Sequence, residues 1–313
     1  MTDGFAPTVA YLGPPGSFAH EAVSTLEGYG EPVPYGSVPR ALAAVREGAA
    51  TWALVPFENS VEGSVAGTLD ELGDLDRPAL QISREVLLAV RFVLVGRAGT
   101  ALSGIRRVAT HPHAEAQCRA WLARELPDAE VVLTASTSSA AREVVEGVYD
   151  AAITGPTATE VYGLTTLVDD IADHDGAVTR FVVVGLPHQP APPTGRDRTT
   201  VVLYEHDDHS GALLEMLTEF AVRGVNLTRL ESRPTGAGLG RYCFSLDCDG
   251  HVLDARVGDT LAALHRICAD VRFLGSYVRE GAQPHQTRRG TSDADFAGAE
   301  TWLAAIRRGE GER

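Results

Sequence analysis

The chain has 313 residues, 44% of them hydrophobic and 22% charged, with a net charge of −15; the length suits two or three domains, and the composition is that of an ordinary folded protein. That acidity argues against a general nucleic-acid binder, which needs a basic face, and leaves any anionic ligand to be collected by local arginines. All 27 basic residues are arginine, which excludes a lysine Schiff base, covalently held pyridoxal phosphate and a P-loop lysine.

Thr8–Leu12 reads as a strand and Ser17–Glu27 as a helix with Ser17 at its N-cap. Val38–Gly48 reads as a helix closed by Gly48, Trp52–Pro56 as a strand and Val65–Leu75 as a helix. Leu80–Val95 is rich in β-branched residues and broken by charges, which suits one bent strand or two. Strands at Arg107–Thr110, Val131–Ala135 and Ala151–Thr154 then alternate with helices at His113–Leu126, Ser138–Glu146 and Pro156–Tyr162. Thr165–Val168 and Thr179–Gly185 close this region as strands. The alternation predicts an α/β fold with mainly parallel sheets, and ligand sites beyond the carboxyl ends of strands.

His188–Arg198 carries three prolines and little to bury, so it reads as a linker. Beyond it, Thr199–Glu205, Ser210–Arg223, Asn226–Arg233, Arg241–Cys248, Asp254–Cys268 and Val271–Val278 follow the order βαββαβ, with the turn TGAGLG between the middle strands. That is the ferredoxin-like plan, whose copies often pair edge to edge. The tail from Gly281 is polar, and Asp293–Arg308 reads as an amphipathic helix that buries Phe296, Trp302, Leu303 and Ile306 in a packing or oligomer contact.

Cys118, Cys243, Cys248 and Cys268 form no CxxC pair, so free thiols in a reducing compartment are expected rather than zinc or disulfides. The N-terminus lacks the basic and apolar regions of a signal peptide, and the most apolar run, Val86–Val95, is broken by Arg91. A cytoplasmic protein with neither nucleic acid nor membrane as partner is expected.

Five segments offer chemistry. YLGPPGSF, from Tyr11, presents backbone N–H groups to an anion at a helix start, or is simply a turn. PFENS, from Pro56, follows a strand end: Glu58 can orient groups or move a proton, Asn59 can bind a hydroxyl or carboxylate, and Ser60 can donate. It runs on through Val61, Glu62, Gly63, Ser64 and Val65; the alternative is a solvated, capped loop. THPH, from Thr110, sits at another strand end with Gln117 a helical turn on. Its His111 and His113 have no third ligand at metal spacing and read as polar loop residues. STSSAA, from Ser136, is a helix start with spare hydroxyls, either a carboxylate cradle or an N-cap. VTRF, from Val178, supplies Thr179 for a leaving hydroxyl and Arg180 for a carboxylate on ligand or protein. No GxSxG, HExxH, GxGxxG or Walker loop occurs.

Together with ITGPTATEVYGL, SGALLEML and NLTRLESRP, these segments resemble the prephenate dehydratase family from Tyr11 to about Glu280. The resemblance implies two α/β lobes of the type II periplasmic-binding-protein kind within residues 1–186, one from 1–76 with 166–186 and the other from 77–165, with the site between them. It implies a linker at 187–198, an α+β ACT regulatory domain at 199–280, and a tail at 281–313. The implied reaction turns prephenate into phenylpyruvate, carbon dioxide and water without cofactor or metal. Thr179 would be central, Arg180 and Phe181 would complete the motif, and Glu58 and Asn59 would match the acidic/amide pair. Ser60, Thr110, Gln117 and Ser138 would touch substrate. L-phenylalanine would bind through Gly211, Ala212, Leu213 and Leu214 together with Asn226, Glu231, Ser232, Arg233 and Pro234, in a homodimer or homotetramer. The N-terminus starts at the first dehydratase strand, so a monofunctional enzyme is expected. The sequence departs from the family pattern at Ala177, usually Asn, and at Ser210, often Pro. Arogenate as substrate and a non-catalytic ligand sensor are the competing readings.

Overall fold

The computed structural model describes residues 6–174, 176–206, 209–235, 242–284 and 287–310. The chain divides into two compact units, Met1–Thr68 with Val86–Gly185 and Leu69–Glu85 with Leu186–Arg313.

The chain opens with β1 (Thr8–Leu12), α1 (Phe18–Ser24), β2 (Glu31–Tyr35), α2 (Val38–Arg46) and β3 (Trp52–Asn59). Ser17 starts α1 by accepting from the His20 N–H. β2 was not expected, because Pro32 and Pro34 remove two backbone donors. It survives as the edge strand of its sheet, bonded only to β1, where a proline leaves no partner unmet. Next come β4 (Gly63–Ser64), α3 (Ala66–Gly73) and β5 (Gln81–Ala89).

The second sheet follows with β6 (Val93–Gly96), β7 (Arg107–Thr110), α4 (Pro112–Gln117), α5 (Arg119–Glu125), β8 (Glu130–Leu133), α6 (Thr137–Val145), β9 (Ala151–Thr154), α7 (Pro156–Tyr162) and β10 (Thr165–Val168). The long helix expected over His113–Leu126 is two. The Asp173 carboxylate accepts from the N–H groups of Ala120 and Trp121, so α5 starts afresh on a borrowed cap after Cys118.

β11 (Val178–Gly185) returns to the first sheet, whose order is β2-β1-β3-β11-β5 with β4 beside β3; the second runs β10-β6-β9-β7-β8. Leu80–Val95 is therefore two strands in different sheets, and the expected lobe boundaries shift. β5 belongs to the first sheet. β10 belongs to the second, where it covers the edge of β6 with Thr166 opposite Val95. Neither sheet is mainly parallel. β1 runs parallel to β2 and β3, but β11 comes back from the second sheet and runs against β3, and β6 runs against both its neighbours. Val9, Tyr11, Leu54 and Val183 pack with α1 beneath the first sheet, and Phe92, Ile153, Trp121 and Leu122 form a core on the second.

The second unit contains β12 (Asp197–Tyr204), α8 (Ala212–Val222), β13 (Leu227–Pro234), β14 (Tyr242–Asp249), α9 (Ala255–Ile267) and β15 (Asp270–Val278). Its sheet, ordered β13-β14-β12-β15, is antiparallel throughout, around Val201, Leu203, Phe220 and Leu264. This is the βαββαβ plan the periodicity predicted; residues 236–240 of the TGAGLG turn lie outside the described residues. Leu69–Glu85 clusters here rather than with the residues before it. Buried Glu85 takes a 2.6 Å hydrogen bond from Arg198, and the Tyr204 hydroxyl donates to the Gly73 carbonyl. α10 (Asp293–Arg307) forms as expected, with Ser292 as its cap, but none of its residues is buried and Trp302 is 52% exposed. Among the described residues the apolar face of this helix is only partly covered, with Phe296 half-buried.

Candidate active site

The site grows from the β3–β11 pair. Antiparallel register sets Thr179 opposite Asn59 and Arg180 opposite Glu58. Side chains alternate across a strand, so the first couple shares one face and the second the other. A bulge makes Phe57 the extra residue between Glu58 and Pro56. Phe57 is fully buried, with its ring 4.6 Å from the Arg180 guanidinium. Pro56 and Asn59 therefore both face a cavity of about 840 Å³, together with Thr179 and Phe181.

Asn59 organises this face. Its Nδ2 donates to Thr179 Oγ1 at 2.9 Å, while its Oδ1 accepts from the N–H groups of Val61 and Glu62 at 2.8 and 3.1 Å. The Thr179 oxygen accepts this bond, and its hydroxyl keeps a proton to donate.

The other expected residues divide. Gln117 lines the cavity. Arg180 is buried and gives its Nε and Nη2 to Glu58 Oε2 at 3.1 and 2.9 Å; neither residue lines the cavity. The carboxylate partner of Arg180 is thus on the protein. Ser60 extends the ladder, its Oγ accepting from the Val178 N–H. Buried Thr110 donates to the Ile153 carbonyl and ties β7 to β9. Buried Ser138 donates to the Pro15 carbonyl and lies 3.2 Å from the Tyr162 hydroxyl. The cavity is reached instead by Ser136 and Thr137, at the capped start of α6. Among the described residues that line it there is no arginine, contrary to the expectation that arginines collect the anion. Partial positive charge comes from the N-terminus of α6.

Glu62, His111 and His113 line the cavity without having been singled out as site residues. Their signal was available, since each follows the carboxyl end of β3 or β7. His113 Nδ1 lies 2.6 Å from Glu62 Oε2, and Gln117 Nε2 donates to Glu62 Oε1 at 3.3 Å. His111 caps α4, its Nδ1 accepting from the His113 N–H. Burial holds the His111 pKa below the usual imidazole value; nearby His113 adds to this and Glu62 opposes it. The Cys118 thiol is pushed up to about 12, chiefly by burial, and so is no nucleophile at neutral pH. Among the described residues no three His, Cys, Asp or Glu side chains gather as a metal site.

In the second unit Gly211 is the N-cap of α8 at φ 99°, and Ala212–Leu214 form its first turn. Glu231–Pro234 end the edge strand β13, where Arg233 makes a bidentate pair with Asp70 at 3.1 and 2.9 Å. Asn226 lies beyond the far end of α8, bonded to Asp249. Eleven helical residues separate it from Gly211, a length of about 16 Å.

A family model described as Prephenate dehydratase matches residues 9–189. A prephenate dehydratase of Mycolicibacterium vanbaalenii is 45% identical over 97% of this chain and 99% of its own. A solved prephenate dehydratase from Arthrobacter aurescens, in complex with L-Phe, is 47% identical with a TM-score of 0.92, covering 96% of this chain and 99% of that one. A further solved structure, GqqA, described as a novel type of quorum quenching acylase, is 28% identical with a TM-score of 0.79 over 88% of this chain and 98% of its own. With a family model over more than half its length and relatives this similar from end to end, the chain belongs to the prephenate dehydratase family.

Proposed function

We propose that the cavity converts prephenate to phenylpyruvate, carbon dioxide and water, and that Thr179 hydrogen-bonds the departing C4 hydroxyl. The observation that carries this reading is the Asn59–Thr179 hydrogen bond, in which Thr179 accepts and keeps its own proton to donate, at the wall of a cavity large enough for a six-membered ring and its side chain. Departure of the ring carboxylate and the hydroxyl creates an aromatic ring, so the protein has to bind a dianion, assist the leaving oxygen and keep the departing carboxylate in apolar surroundings. Ser136, Thr137 and the start of α6 suit a substrate carboxylate; Phe92, Phe181 and Val90 supply apolar wall. Two mixed sheets joined by two crossings support the periplasmic-binding-protein-like reading of this part.

The βαββαβ unit is read as an ACT domain that senses L-phenylalanine, supported by the L-Phe complex of the Arthrobacter relative and by the Gly211–Leu214 and Glu231–Pro234 motifs. A helix length between Gly211 and Asn226 favours an effector site shared by two copies, as does the edge strand β13. We assign the chain to the cytoplasm on its free cysteines; among the described residues no helix is long and apolar enough to cross a membrane.

The test is turnover of prephenate and of arogenate, following phenylpyruvate and phenylalanine with and without added L-phenylalanine. Phenylpyruvate formation that responds to L-phenylalanine is expected. Turnover of arogenate alone replaces the substrate, and binding without turnover of either makes the chain a sensor.

A further inference from the structure

The proposed reaction consumes a proton. The prephenate dianion and one H⁺ become the phenylpyruvate anion, carbon dioxide and water. The C4–O bond breaks with its electron pair on oxygen, and that oxygen must be protonated to leave as water. The bond from C1 to its carboxylate also breaks, its electron pair enters the ring, and carbon dioxide departs. A threonine hydroxyl is too weak an acid to supply this proton at neutral pH. Thr179 can orient and polarise the leaving group, but the proton needs another source.

The titratable side chains among the described cavity residues narrow the choice. Glu58, the carboxylate the sequence offered, faces away and is committed to Arg180. His111 uses Nδ1 as an acceptor for a backbone N–H at a helix start, a position that disfavours its cationic form. Glu62 and His113 remain, joined at 2.6 Å.

Resting on the prephenate reading, we propose that His113 is the general acid that protonates the departing hydroxyl and that Glu62 is its positioning partner. Glu62 is fixed from two sides: Gln117 Nε2 donates to its Oε1, and Asn59 Oδ1 holds its backbone N–H. The same Asn59 amide holds Thr179, so one side chain sets both the group that grips the leaving oxygen and the carboxylate that aims the acid. With the Nδ1 proton given to Glu62, the imidazolium has Nε2–H as its remaining donor. Among the described residues, the charged and titratable groups seen against His113 are Glu62, on the turn after β3, and the His111 ring at 4.8 Å in an edge-on contact. The His113 side chain is 66% exposed, so bulk water can restore its proton after each turnover.

The experiment is steady-state kinetics against pH on the full chain, for wild type, His113→Asn, His113→Gln and Glu62→Gln, with thermal midpoints recorded for each. For the wild type, kcat should be level at low pH and fall at alkaline pH, as a step that needs a protonated donor requires. Both His113 variants should lose roughly 10²–10⁴-fold in kcat, with KM within about threefold of wild type, and should lose that alkaline fall. Glu62→Gln keeps the imidazole but removes the carboxylate that positions it, so kcat should fall by less than in the His113 variants, with KM little changed. Unchanged thermal midpoints separate these effects from misfolding. An alkaline fall that persists in the His113 variants, or a kcat loss under about tenfold, overturns the proton assignment alone. Absence of prephenate turnover by the wild type overturns the substrate reading and this proposal with it.

Discussion

On the proposed reading Thr179, which accepts from Asn59 Nδ2, donates its own proton to the leaving oxygen, and this sets what each substitution should do. Thr179→Ala removes a donor used at the leaving oxygen; kcat should fall by roughly 10²–10³ while KM changes little. Asn59→Ala frees the turn at Val61 and Glu62 as well, so KM should rise along with the loss in kcat; steady-state rates on prephenate read both. His111 makes a separate prediction. Its folded-state pKa lies below the unfolded value of about 6.5, and burial is the main cause. Between the two values the unfolded chain binds more protons, so stability must drop as pH falls through that window. His111→Asn keeps an N-capping acceptor and should flatten that dependence in denaturant titrations at pH 7.5 and at about 5.5; an unchanged slope would show that His111 is not its source. At this scale the sequence placed Thr179, Asn59 and Gln117 where they line the cavity. It could not separate them from Glu58, Arg180, Thr110 and Ser138, which lie beside them but bond to the protein. For Glu58 and Arg180 the difference is a matter of strand face, and the bulge at Phe57 that resets the face of β3 has no signature in single-residue identity.

The β3–β11 ladder carries the site and is itself held by the Arg180–Glu58 pair and the Ser60–Val178 exchange. Arg180 is 4% exposed, so weakening its carboxylate partner costs more than at a surface pair. Glu58→Gln should lower unfolding free energy by about 1.5–3 kcal/mol, the worth of a hydrogen bond to a charged group. Its kcat should fall far less than that of Thr179→Ala. Denaturant midpoints and rates from one preparation decide it: a large kcat loss at unchanged stability would put Glu58 back into the chemistry. Elements with strong periodicity or caps were legible, among them α1 behind Ser17, α6 behind Ser136 and the whole βαββαβ order. The misses have tertiary causes. β2 is a proline-bearing strand that only an edge position permits, and the α4–α5 break depends on Asp173 from a distant loop; Leu80–Val95, read as one bent strand or two, is two, but their placement in different sheets is tertiary.

At the scale of the whole molecule, the question is whether one chain can make its own effector site. Gly211 and Asn226 bracket an eleven-residue helix, and a single amino acid cannot touch both ends. If L-phenylalanine uses both, two chains must supply them, Gly211–Leu214 from one and Asn226 from its partner. Gly211 sits at φ 99°, so Gly211→Ala adds strain of about 1–3 kcal/mol where the ligand would lie. Asn226→Ala removes an amide at the other end. Each variant alone should lose L-phenylalanine binding, read as loss of the rise in thermal midpoint that the ligand gives the wild type. Mixing the two variants and letting chains exchange creates dimers holding one of each. Such a dimer has one site with both substitutions and one site with neither, so binding should partly return on mixing. A site contained in one chain would carry one lesion in every copy, and mixing would restore nothing. Reciprocity then links the sites: if L-phenylalanine changes prephenate affinity by some factor, prephenate must change L-phenylalanine affinity by the same factor, and the rescued dimers should regain both effects together.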